Sequence, residues 1–134
     1  MKILKPYRYF RLTMKSGILT VIKIVIYQNA QIKHIYANAC PNTPIPDGAA
    51  AMTRVHSSNN PIVEFCDRHT ESRQNTQLGF MKMAEGAIIA LRNPVAHENL
   101  NMSQDDAMRQ LTFASMIMYK IDEGVIHSGI TEQE

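Results

Sequence analysis

Arg92, Asn93 and His97 place a permanent cation, a carboxamide and an imidazole within six residues. These types suit phosphoryl chemistry. An imidazole titrates near neutral pH and can take or return a proton. A guanidinium stays charged and offers phosphate oxygens a planar fork of donors. On an unbroken α-helix the five-residue step from Arg92 to His97 leaves the two side chains about 140° apart. Pro94 removes a backbone donor and disfavours helical geometry at Asn93, so the chain is expected to bend there and bring both groups to one side. The spacing alone is not specific, because an arginine at a helix end and a histidine capping the following turn give the same pattern.

The elements that would position this motif are predominantly helical. Residues 71–92 read as one long helix, started by Thr70 or Ser72 and free of proline until Pro94. Leu78, Phe80, Met81, Met83, Ala84, Ala87, Ile88, Ile89, Ala90 and Leu91 wrap most of its circumference, which predicts burial on nearly every side. Gly79 and Gly86 share one face of it, and the cost of glycine inside a helix suggests close approach of a partner helix there. The last helix is predicted to start at Ser103, with Asp106 at the third following position, and to stop near Asp122 ahead of Gly124. Ala107, Leu111, Ala114, Met118 and Ile121 form its inward stripe.

The first half is less regular. Ile18, Val21, Ile22, Val25, Ile32 and Tyr36 fit one helical face with a gap at Asn29, whereas the run Thr20–Ile26 is rich in β-branched residues that favour a strand. A helix is predicted there, against that composition. The three prolines of residues 41–48 predict a connecting loop, after which Asp47 can cap a short helix over 49–55. Residues 57–61 form a second break, followed by a brief turn over 62–66.

The stretch Gly79-Phe80-Met81, Glu85-Gly86-Ala87 and Leu91-Arg92-Asn93-Pro94-Val95-Ala96-His97-Glu98-Asn99 resembles the core of the bacterial Ymh family, a branch of the HEPN superfamily. Upstream, Asp47-Gly48, Met52, Ser58-Asn59-Asn60-Pro61 and Thr70-Glu71-Ser72 are similar to that family's preceding segment, and Ala114-Ser115 with Met118-Tyr119-Lys120 resembles its final helix. The resemblance covers residues 47–123; residues 1–46 match poorly, since the family has small and acidic residues where this chain is basic and β-branched. It implies a small up-and-down helical bundle, commonly a homodimer, with an Arg-x4-6-His ribonuclease motif. Carried onto this chain, Arg92 would hold the scissile phosphate, Asn93 would orient, and His97 would move the proton of a ribose 2′-hydroxyl. Neither metal nor cofactor would be required. Dimerisation would set two motifs across one cleft, and the setting would be a toxin–antitoxin or phage-defence effector with a possible cognate antitoxin.

Arg54, Arg68, Arg73 and Lys82 could line an RNA path, and Glu98 could tune His97, although scattered surface charges more often have no such role. Two other readings share these residues: a non-catalytic HEPN module that binds RNA or nucleotides or simply dimerises, and a helical protein in which the motif only caps a helix.

Bulk properties agree with one all-α domain over residues 1–126 and a flexible tail over 127–134. The chain has 134 residues, 45% apolar and 19% charged, enough for a single core. Its net charge of +2 excludes a wholly basic surface, so RNA contact must be local. Cys40 and Cys66 lie too far apart for paired ligand spacing, and Cys66 with His69 makes only half a metal site. His34, His56 and His127 show no ligand spacing either. Lys2, Lys5, Arg8, Arg11 and Lys15 precede an apolar run over 17–27 as in a secretory signal, but Lys23 interrupts it and its length cannot span a bilayer. A cytoplasmic protein without a membrane segment is expected.

Overall fold

The computed structural model describes the backbone of residues 18–92 and 103–130, and the side chains of 29–91 and 103–130. Among these residues the fold is all-α. Helix α1 spans Ile18–Ala39, α2 Gly48–Val55, α3 Glu71–Ala87, continued by a π-helical turn over Ile88–Arg92, and α4 spans Gln104–His127. None of these helices is long and apolar enough to cross a membrane.

The β-branched run in α1 is helical despite its composition. Each unfavourable residue costs at most about 0.7 kcal/mol of propensity, whereas burying one large apolar side chain returns about 1.5–3 kcal/mol. Ile32, Ile35 and Tyr36 are buried on one face of α1. They meet Ala51, Met52 and Val55 of α2, Val63 and Phe65 of the following segment, Ala84 and Ile88 at the end of α3, and Ile117, Ile121 and Val125 of α4.

Helices α2, α3 and α4 each start at a cap that its chemistry favours. Asp47 caps α2, the Thr70 hydroxyl accepts from the Arg73 amide at 3.3 Å, and the Ser103 hydroxyl accepts from the Asp106 amide at 3.1 Å. The proline-rich loop doubles back along α1. Asn29 bonds to Asp47 and Tyr36 to Arg54, so α1 and α2 run in the same direction. The reversal comes between α2 and α3, where Gly48 lies against Ile88 and the His56 carbonyl meets Gln77.

Several expectations need correction. The helix beginning at Glu71 keeps α geometry only to Ala87. It is buried along one stripe, Gln77, Met81, Ala84 and Ile88, while Leu78 and Ile89 are exposed, because its neighbours cover a single face. Gly79 and Gly86 approach no other group: a Cβ at either would meet nothing within 4 Å among the described residues. Residues 62–66 form bends without a helical turn.

Gly124 does not end α4, which continues to His127. Its lack of a side chain serves packing instead, since a Cβ would lie 2.9 Å from Val63 Cγ1 and 3.1 Å from the Glu64 carbonyl oxygen. Gly124→Ala therefore sets a helix-propensity gain of about 1 kcal/mol against a backbone clash costing about 1–3 kcal/mol. Urea unfolding should show a net loss of about 1 kcal/mol; a more stable variant would show that the 62–66 segment yields freely. Beyond α4, Ser128 stays tied to that segment: its hydroxyl accepts from the Glu64 amide at 2.7 Å, and Ile130 packs on the core.

Candidate functional site

Arg92 is the last residue of the π-helical turn, where bonding widens from i→i+4 to i→i+5. Asn93, His97 and Glu98 lie outside the described residues. The turn is gripped from its base. Ile88 is 1% exposed and packs against both α1 and the start of α2. Its amide is shared between the Ala84 and Glu85 carbonyls, a three-centre bond of the kind common at helix ends.

The start of α2 carries an unusual concentration of polar contacts. One carboxylate oxygen, Asp47 Oδ1, accepts from Lys33 Nζ at 2.7 Å, from the Gly48 amide at 2.8 Å and from Asn29 Nδ2 at 3.2 Å. The Lys33 ammonium beside it, then Asn29 and the Gly48 amide, hold this carboxyl at about 2, below its ordinary range. Gly48 adopts a positive φ of 54°, and a Cβ on it would come 3.5 Å from Ile88 Cγ2. Thus Asp47, Gly48 and the turn bearing Arg92 are consecutive neighbours in space.

The other cations singled out from the sequence are not gathered with Arg92. Arg73 sits near the opposite end of α3, about 28 Å away by helical rise, and pairs with Asp67 at 2.6 Å. Lys82 projects outward about 15 Å along the same helix and pairs with Glu85 at 3.3 Å. Arg54 donates to the Tyr36 hydroxyl at 3.3 Å. Arg68 is a loop clasp, bonding Glu64 Oε1 through Nε and Nη2 and the Ser58 carbonyl through Nη1. The four are spread over α2, the segment after it and α3.

Three polar residues stand out that their spacing did not reveal. Gln77 is fully buried; its Oε1 accepts from the Phe65 amide at 2.8 Å while its Nε2 donates to the His56 and Val63 carbonyls at 3.1 Å each. His56 is likewise fully buried and stacks on Phe65 with ring centroids 4.8 Å apart. Its Nδ1 donates to the Met52 carbonyl at 2.9 Å, Nε2 has no partner, and burial pulls the imidazole down to about 4. Asp122 is buried on α4, bonded by Gln31 through one oxygen with Oδ2 unpartnered, and burial pushes it up to about 6. The available signal was position. Gln77 and Asp122 each fall four residues from a stripe methionine, Met81 and Met118.

No group of three His, Cys, Asp or Glu side chains converges as metal ligands among the described residues. Both cysteines are free thiols. No curated protein and no solved structure matches the chain. A family model does match, over residues 28–121, a span that runs from within α1 into α4 and includes the whole segment from Arg92 to His97. The chain therefore belongs to the family described as a protein of unknown function, Hypoth_ymh.

Proposed function

We propose that the protein is a metal-independent endoribonuclease of HEPN type, acting as a homodimer, in which Arg92, Asn93 and His97 cut RNA. The observation that carries this reading is the π-helical turn ending at Arg92. Such turns are rare and recur at functional sites, and this one breaks the α-helical register where the Arg-to-His motif begins.

In the proposed reaction the ribose 2′-oxygen forms a bond to the neighbouring phosphorus as the bond to the 5′-oxygen breaks. His97 takes the 2′-hydroxyl proton and a proton returns to the leaving 5′-oxygen, so the products are a 2′,3′-cyclic phosphate and a 5′-hydroxyl. Arg92 neutralises the charge that builds on the phosphoryl oxygens. Homodimerisation is supported by apolar side chains left exposed, Leu78 on α3, Ile89 in the π-helical turn that continues it, and Phe113 and Met116 on α4. A toxin or phage-defence role, with an antitoxin as partner, fits an RNA-cutting activity of this kind.

Purified protein should cleave single-stranded RNA in EDTA, leave DNA intact and generate cyclic phosphate ends. His97→Ala should lower the rate at least 1,000-fold while remaining a dimer. Equal cleavage by the variant, or none by either, would reject the nuclease in favour of a module that only binds or dimerises.

A further inference from the structure

Asn29 occupies the gap in the apolar stripe of α1. It is 7% exposed, its amide oxygen is buried without a partner, and the side-chain bond it does make is to Asp47. A joint between two helices needs no such residue; an aliphatic side chain would pack there without leaving a polar atom unpaired. The polar arrangement fixes direction instead. Asp47 Oδ1 joins Asn29 and Lys33 of α1 to the first amide of α2, and the next residue, Gly48, rests on Ile88 at the base of the π-helical turn.

We propose that Asp47 is a positioning residue: by tying α1 to the start of α2 through one oxygen, it holds the turn over Ile88–Arg92 in π register and so sets where Arg92 stands. The inference rests on the nuclease reading for its consequence but not for its geometry. Helix α2 and α1 both pack on the turn, so a shift of one against the other must be absorbed there. The Lys33 ion pair is partly exposed and screened by solvent, and the Asn29 bond, part-buried, reaches the same oxygen from the other side chain of α1.

The test compares Asp47→Ala, Asp47→Ser and Asp47→Asn in the full chain. Serine retains a helix cap but is too short to reach Lys33 and Asn29 together, which guards against a variant that fails through lost capping. Asparagine keeps the accepting oxygen without the charge. Amide hydrogen exchange over residues 88–92 should accelerate about 10-fold in the alanine and serine variants, with residues 114–121 of α4 unchanged, and asparagine should restore most of the protection. On RNA, kcat should fall about 10-fold in the serine variant with KM unchanged. Protection over 88–92 equal to wild type in both the alanine and serine variants, or an equal loss across all helices, overturns the proposal. Loosening confined to the turn in a protein that leaves RNA intact upholds it and overturns the nuclease reading alone.

Discussion

Gln77→Leu should lose about 3–5 kcal/mol of stability, a large share of the roughly 5–15 kcal/mol that holds a domain folded. The side chain is fully enclosed and serves three backbone groups of a segment with no regular structure: the Phe65 amide and the His56 and Val63 carbonyls. A loop buried without a ladder or a helix must find its partners elsewhere, and one carboxamide supplies them. Leucine would leave all three unpaired, each costing about 1–3 kcal/mol before relaxation. Gln77→Glu should be at least as damaging at neutral pH, because a carboxylate would face two carbonyl oxygens where the amide donated. Urea midpoints decide the matter, and a midpoint for Gln77→Leu within experimental error of wild type would show that water replaces the glutamine.

Acid should reveal a second large effect once Asp122 is neutralised by substitution. His56 has a folded value of about 4 against an ordinary 6.5, so protonation favours the unfolded chain. Its contribution is intact above pH 6.5, declines as pH falls, and is fully spent below pH 4, a loss of about 3 kcal/mol. Asp122 has the opposite sign: raised to about 6 from 3.8, it stabilises the fold most below pH 3.8 and loses that contribution as pH rises through 6. In the wild type the two trends oppose each other between pH 6 and 4, and stability there should change little. Asp122→Asn removes one of them. The variant should be about 1–2 kcal/mol more stable than wild type at pH 7.5, after allowing for the poorer hydrogen bonding of its amide, and should then fall steeply between pH 6.5 and 4. Thermal unfolding across that range measures both curves; parallel curves would refute the pairing of signs.

The parts of this fold that the sequence disclosed are those in which a local rule and the tertiary structure agree. Asp47, Thr70 and Ser103 were readable as caps because their side chains bond the helix they begin. The α4 stripe from Ala107 to Ile121 was readable because one face is covered throughout. Errors arose where a residue answers to a distant element. Gly124 looks like a helix stop, yet it is a gap through which α4 meets Val63 and Phe65. Gln77 lies in a polar run beside Gln74 and Thr76, and its composition gives no hint that it, alone of these, faces inward. The apolar girth of α3 suggested burial on all sides, but a single chain covers only one. Of the candidate site, the sequence supplied Arg92 late in the long helix, while the bend expected at Pro94 lies outside the described residues. The sequence did not supply the change to π geometry or the Asp47 cluster beneath, because both depend on how α1 and α2 meet the turn.

The clasp between Glu64 and Ser128 joins positions 64 residues apart. Helices α2 and α3 cover one side of the bends through His56, Gln77 and Phe80, and the far end of α4 covers the other at Val63 and Phe65. A chain cut before Gly124 would thus lack the surface on which Val63 and Phe65 close the far side of the core.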